Sequence, residues 1–326
     1  MVGAGIRRRS VALALAAVVL AGCGLQPNSP ATSPAANAGA PLTLRMLADA
    51  DLDPSSLERG EVTAETEDYT TTAVAYASDG TTTSGSLSVP MGDGPHPGVV
   101  LVHGVVNPAR YLAGSGLQRE QAYFAQLGYV VLSLDLRSSA AAPTSAAALG
   151  VDLGSTLDVI NGIRALLSAD IASLDESRIG LLGHSLGGLL ALNTIVAKPD
   201  LVDAAVAISP ASIVPSENVD YLTTLFGGTP APIIQQYGSP EDNPQFWRDI
   251  SPGTLVDRVE APLLIVHGSA DQITPLRWSQ ATAARWEDAG KSVELVVLDG
   301  EGHVFQPRWD EVMALVASFL DEELTG

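Results

Sequence analysis

Arg178-Ile179-Gly180-Leu181-Leu182-Gly183-His184-Ser185-Leu186-Gly187-Gly188-Leu189-Leu190-Ala191-Leu192 is the stretch on which the reading of this chain turns. Ile179–Leu182 is an apolar run suited to a strand buried on both faces. Leu189 to Leu192 begins a helical run. Between them Gly183-His184-Ser185-Leu186-Gly187 matches G-x-S-x-G, the strand–turn–helix in which a serine sits on a sharp bend with its Oγ exposed. The glycines have a steric reason, since side chains beside such a bend would collide with neighbouring backbone. A helix N-terminus just past the serine supplies backbone N–H groups and a partial positive charge.

The surroundings repeat the pattern. Similar apolar runs occur at Gly98–His103, Val130–Leu134, Ala204–Ile208, Leu263–Val266 and Val293–Leu298. Helical faces lie between and after them, Val159, Ile163, Leu166 and Leu167 forming one and Val312, Leu315, Val316, Phe319 and Leu320 another. Upstream, Ala73–Ala77 and Thr82–Val89 are β-prone and are separated by Ser78-Asp79-Gly80, a hairpin signal. A hairpin followed by alternating strand and helix predicts an α/β fold with a mostly parallel, doubly wound sheet. Ligands of such sheets gather outside the carboxyl ends of the strands, so the residues just after each run are the candidates for chemistry.

Two of those segments carry what a serine needs. A hydroxyl is a weak nucleophile at neutral pH and requires a base, which in turn requires an orienting acid. Asp271 follows the Leu263–Val266 strand and His303 follows Val293–Leu298, so the order is Ser185, Asp271, His303, that of Ser-Asp-His hydrolases on α/β sheets. Asp299 and Glu301 are rival acids close to His303 in sequence. An oxyanion would be held by the Leu186 N–H and by a backbone N–H after Gly98–His103, Val105 first and Val106 next. His103, His184 and His267 read as packed structural histidines, and His96 as a solvated loop residue. Asp135 and Arg137 either touch substrate or form a local ion pair.

The rest of the chain narrows the class. Among 326 residues there are 17 basic and 37 acidic side chains, a formal net charge of −20, and lysine only at Lys198 and Lys291. Nucleic-acid binding needs clustered Lys and Arg and is excluded as an expectation. The single Cys23 rules out an internal disulfide and a cysteine metal site. The five histidines never recur at i, i+4, the spacing of a zinc-binding helix. No cofactor or metal is expected.

Arg7, Arg8 and Arg9 precede an apolar run from Val11 to Ala21, about half of the ~20 residues that would span a bilayer. This is the plan of a signal peptide over 1–22. Leu20-Ala21-Gly22-Cys23 resembles the lipobox of bacterial lipoproteins, which implies a lipid on Cys23, a tether over 23–41 rich in Pro, Ala, Ser and Asn, and a protein held at the extracytoplasmic face. The export route stays open. Residues 42–69 are an unassigned extension, 70–326 the catalytic domain, and 210–243 suits a small cap. Within it Tyr221, Leu222, Leu225, Phe226, Ile233 and Ile234 either line a substrate pocket or pack the cap's own underside.

From Thr70 onward the chain resembles the α/β-hydrolase superfamily, in the branch near the prolyl oligopeptidase catalytic domain and dienelactone hydrolase. The likeness rests on Asp79-Gly80 with Gly85-Ser86-Leu87, His103-Gly104, the elbow, Leu225-Phe226-Gly227-Gly228-Thr229-Pro230, Phe246-Trp247-Arg248-Asp249-Ile250-Ser251-Pro252, Ala261-Pro262 and the acid and histidine segments. It implies a Ser-His-Asp hydrolase of esters or short peptides. Leu186, Val105-Val106 and Val304 depart from the peptidase pattern and favour a carboxylesterase. A lipoprotein that binds at the surface without catalysis is the expectation from a different class.

Overall fold

The computed structural model describes residues 40–52 and 55–325. The signal peptide, Cys23 and nearly all of the tether lie outside them.

Nine strands form one sheet in the order β1-β2-β3-β5-β4-β6-β7-β8-β9. The first three, β1 (Leu57–Glu65), β2 (Tyr69–Ser78) and β3 (Thr81–Pro90), run antiparallel. Asp79 at φ 50° and Gly80 at φ 71° close the β2–β3 hairpin, the left-handed pair that matches strand twist. The strands β4 (His96–Val102), β5 (Val130–Leu134), β6 (Leu174–His184), β7 (Ala204–Ile208), β8 (Leu263–Gly268) and β9 (Val293–Leu298) pair in parallel. After β4 the chain steps out to β5, then returns to place β6 on the other side of β4. The strand order therefore reverses between β4 and β6, which is where an open α/β sheet forms its ligand crevice.

Alternation builds two cores. Val100, Val102, Leu132 and Leu134 face one layer, containing α3 (Gly154–Leu167), α4 (Leu186–Ala197) and α8 (Leu276–Asp288). Val99, Leu101, Val131 and Leu182 face the other, with α2 (Gln118–Gln126) and α9 (Trp309–Thr325). Period-2 strands with apolar residues on both faces can do this only if helices cover both sides. Each such side chain, taken from water, contributes about 1.5–3 kcal/mol. Helix α4 is buried at every position, which explains why its sequence carries no polar stripe.

Residues 42–69, unassigned from sequence, supply α1 (Leu44–Asp49), which packs on α4, and β1, which extends the sheet. Strand β1 is exposed at eight of its nine positions. Between β7 and β8 lie α5 (Pro215–Leu225), α6 (Ala231–Tyr237) and α7 (Pro244–Asp249). Among the described residues no helix is long and apolar enough to cross a membrane.

Candidate active site

Ser185 stands between β6 and α4 at φ 60°, ψ −119°, a conformation that costs a non-glycine residue about 1–3 kcal/mol and persists only where the surroundings impose it. The Ser185 N–H donates to the Ile208 carbonyl (2.9 Å), and the Ser185 carbonyl accepts from Ala211 N–H (3.2 Å). The flanking glycines are there for clearance. A Cβ on Gly183 would lie 2.0 Å from the Gly187 carbonyl oxygen, and one on Gly187 would lie 2.0 Å from that of Val102.

His303 Nδ1 lies 2.7 Å from Asp271 Oδ2. A carboxylate can only accept, so Nδ1 carries the proton and Nε2 presents its lone pair. Asp271 is fully buried at its side chain and His303 is 15% exposed. Oδ1 of Asp271 accepts from the backbone N–H groups of Ile273 (2.8 Å) and Thr274 (3.0 Å). Thr274 Oγ1 lies 2.9 Å from Oδ2, and His267 Nε2 3.3 Å from it. Burial would push this carboxyl up, but hydrogen bonds from His267 and His303, the charge of His303 and the Ile273 N–H outweigh it. Asp271 is held well below the usual carboxylate range, and it is ionised wherever the protein is folded near neutrality.

The rival acids are elsewhere. Asp299 accepts from Ser269 Oγ (2.9 Å) at an exposed position. Glu301 is buried and leaves Oε2 without a hydrogen-bond partner.

His184 Nε2 donates to the backbone carbonyl of His303 (2.9 Å), and the two imidazoles lie 4.8 Å apart. This bond ties the histidine loop to the serine turn. Ser185 and His303 open into the same cavity. Among the described residues no hydrogen bond joins Ser185 Oγ to the His303 ring, a contact that in free enzymes often tightens only around substrate.

Burial, with the charge of His303 second, pulls His184 down to about 4. The ordinary histidine value is ~6.5, so the unfolded chain takes up this proton before the folded one does, and stability falls as pH drops from about 6.5 toward 4. The expected contribution is roughly 3 kcal/mol over that window. Urea unfolding at several pH values should show the slope, and His184→Phe should remove it.

The cavity has a volume of about 600 Å³, within the usual range for small-molecule sites. It is walled by Val105 to Pro108 after β4, by Ala142, Pro143, Ala148 and Leu149, by Leu186, and by Ala211, Leu222, Phe226, Ile273 and Thr274. Among the described residues, Ser185, His303, Asn107 and Thr274 are its only polar side chains, and no Asp, Glu, Lys or Arg lines it. Of the six apolar cap residues singled out from sequence, Leu222 and Phe226 face the cavity. Tyr221 instead stacks edge-on against Trp278, and Ile233 is in the core.

Gly104 passes directly against the serine, a Cβ there falling 2.8 Å from Ser185 Cβ. Val105 and Leu186, the expected oxyanion donors, both line the cavity. Leu186 is the first residue of α4, where a backbone N–H has no intrahelical acceptor.

His267 is packed, its Nε2 donating to Thr274 C=O (2.8 Å) and its Nδ1 accepting from Ser279 Oγ (2.6 Å). The expectation for His96 is corrected. It starts β4 half-buried with Nε2 shielded from solvent, because the strand begins earlier than its apolar run. Arg137 pairs with Asp158 (2.6 Å), while Asp135 accepts from Gly114 N–H and Ser84 Oγ; neither reaches the cavity. Among the described residues no group of three His, Cys, Asp or Glu side chains is arranged to hold a metal ion.

Residues 115–326 match the profile of the prolyl oligopeptidase family. The chain belongs to that family. With the fold above it is a serine hydrolase of α/β-hydrolase architecture. It is 23% identical over 247 residues to a Bacillus subtilis (strain 168) protein named uncharacterized peptidase YtmA, covering 72% of this chain and 86% of that one. Pyrococcus horikoshii acylaminoacyl peptidase superposes with a TM-score of 0.62 at 23% identity over 79% of this chain. This chain spans only 42% of that enzyme's length. Acetyl xylan esterase 1 from Thermoanaerobacterium sp. JW/SL YS485 superposes with a TM-score of 0.63 at 18% identity, covering 83% of this chain and 88% of that one. The family's fold thus serves both peptidases and esterases, and the choice between them rests on the cavity.

Two residues support the site, His267, read from sequence as a packed histidine, and Thr274, which the sequence did not single out. Thr274 and His267 fasten the turn that carries Asp271. The signal available for Thr274 was its spacing, since an Asp often accepts from the backbone two and three residues on.

Proposed function

We propose that this chain cleaves neutral carboxylic esters through an acyl-enzyme. Ser185 Oγ attacks the ester carbonyl carbon while His303 Nε2 takes its proton. The oxyanion that forms is held by the Leu186 and Val105 N–H groups. The tetrahedral intermediate collapses with rupture of the bond to the alcohol oxygen, which leaves with the proton from His303. Water then repeats the sequence, giving up its proton to His303 and releasing the acid and free Ser185. Asp271 keeps the imidazole in the tautomer that offers Nε2 and stabilises the imidazolium in between.

The observation that carries this reading is the cavity wall. An enzyme that recognises a free peptide amino terminus needs a carboxylate to receive it, and a desolvated ammonium without one is costly. The wall offers none. Family membership favours a second reading, a serine peptidase acting on blocked or internal peptide bonds by the same steps.

The discriminating experiment gives the full chain short-chain nitrophenyl esters, aminoacyl-nitroanilides and N-acylated peptide anilides. Ester turnover without aminoacyl-nitroanilide turnover is expected. Turnover of the acylated anilides at rates matching the esters would replace the ester reading with the peptidase. A fluorophosphonate probe should label Ser185, and failure to label would indicate a non-catalytic binding protein. We further propose that a lipid on Cys23 holds the enzyme at the extracytoplasmic membrane face, supported by the residues Leu20 to Cys23. Detergent-phase partitioning that is lost on Cys23→Ala would follow from it, and unchanged partitioning would refute it.

A further inference from the structure

The oxyanion pocket needs two donors, and one of them depends on a single peptide plane. Val105 sits in a loop without regular secondary structure, so nothing in a helix or strand fixes where its N–H points. The adjoining carbonyl is fixed. His103 Nδ1 lies 2.6 Å from the Gly104 carbonyl oxygen, and because a carbonyl can only accept, Nδ1 is the protonated nitrogen. In a trans peptide the carbonyl and the following N–H point in opposite directions. Holding the Gly104 C=O toward the imidazole therefore aims the Val105 N–H away from it. Gly104 also packs against Ser185, whose Cβ and Oγ would lie 2.8 Å and 3.3 Å from a Cβ at that glycine.

The imidazole is itself held. His103 is 4% exposed, and its ring lies 5.1 Å from that of Tyr111. Gly116 packs so closely that a Cβ there would fall 2.6 Å from His103 Cδ2. Ser139 Oγ accepts from the Leu136 N–H (3.3 Å) and lies 3.1 Å from His103 Nε2, leaving its own proton to donate to that nitrogen. The chain of donors runs Leu136 N–H, Ser139 Oγ–H, His103 Nδ1–H, Gly104 C=O. Every link has one consistent direction, and the last link fixes the peptide plane shared by Gly104 and Val105, a residue that lines the cavity.

We propose that His103 is a positioning residue for acyl transfer, aiming the Val105 N–H at the oxyanion by holding the Gly104 carbonyl. The proposal rests on the Ser185 reading. It assigns a function to a histidine that otherwise reads only as packed.

The test uses the full chain and four variants, Ser185→Ala, His103→Ala, His103→Asn and His103→Gln, with unfolding temperature measured for each. Asparagine places its amide nitrogen near the position of Nδ1, whereas glutamine places it near Nε2, out of reach of Gly104. Loss of one oxyanion donor costs roughly 10²–10³ in kcat, so misaiming one should cost about tenfold or more. His103→Ala and His103→Gln should therefore lower kcat by that factor with KM changed less than about twofold. An alkyl boronic acid, which mimics the tetrahedral intermediate, should bind more weakly by a similar factor. His103→Asn should stay within about threefold of wild type in both readouts.

If His103→Ala does not fold, the asparagine–glutamine contrast carries the test. Equal kcat in asparagine and glutamine variants, or a KM rise with kcat unchanged, overturns the proposal. Full turnover in Ser185→Ala would instead refute the catalytic reading on which it rests, so the two failures are told apart.

Discussion

Replacing Ser185 with alanine should lower the turnover of short-chain nitrophenyl esters by roughly 10⁴- to 10⁶-fold. The variant removes one oxygen and leaves the turn intact. Alanine at φ 60° is as strained as serine there, so neither relief nor new strain is expected, and the unfolding temperature should move by no more than about 2 °C. The residual rate should come from the oxyanion donors and from binding alone. Fluorophosphonate labelling should vanish with turnover. Active-site titration of the wild type sets the reference, since trace contamination by another esterase would mimic a small residual rate. Turnover within tenfold of wild type would remove Ser185 from the mechanism.

Asp271→Asn should be nearly as damaging, at about 10⁴-fold in kcat. The carboxylate receives the His303 Nδ1 proton at 2.7 Å and backbone N–H groups from Ile273 and Thr274. An amide in its place has one acceptor oxygen. If that oxygen keeps the two backbone donors, the NH₂ group faces His303, forcing the proton onto Nε2 and leaving no lone pair for the serine. Stability should change as well, with a definite sign. Because the Asp271 pKa is lowered in the folded state, its charge stabilises the fold above the ordinary carboxylate range, near pH 4. That contribution is lost as pH falls through the folded value. The variant should thus be destabilised at neutral pH and approach wild type in strong acid. Thermal melts across pH, read beside kcat, check both. An Asn variant with kcat within a few fold of wild type would move the orienting role to another group.

The parts of the sheet that were most legible from sequence are the short, largely apolar runs. Val130–Leu134 and Ala204–Ile208, buried throughout, appear in the structure with those bounds, because a largely apolar run bounded by polar residues leaves few alternatives to a buried strand; Val293–Leu298 keeps its bounds too, although it is the edge strand and is half-exposed. Strand β1 was not legible. Its sequence, Leu57-Glu58-Arg59-Gly60-Glu61-Val62-Thr63-Ala64-Glu65, has no apolar face to show, since it pairs along one edge and is wet elsewhere. Strand β6 begins five residues before its apolar run, at Leu174, where polar residues lie toward the rim.

The site was legible to the extent that it follows from strand ends. The sheet aligns Val102 with Gly183, His184 with Ile208, and Gly268 with Leu298. Residues just beyond these pairs are neighbours whatever their distance in sequence. His267 was legible as a packed histidine at a strand end, whereas the supports contributed by Thr274 and Ser139 were not, because they arise from short turns that carry no periodicity.

Residues 210–243 lie between β7 and β8, two adjacent parallel strands whose register is fixed by four residue pairs. The ends of the connection are therefore pinned by a ladder that is indifferent to the length of the excursion, and closing a longer loop costs little more than closing a short one. Insertion or deletion at this point would reshape the wall that Leu222 and Phe226 give the cavity while leaving the strand ends that carry Ser185, Asp271 and His303 in place. One scaffold can in this way change clientele without relearning its trade.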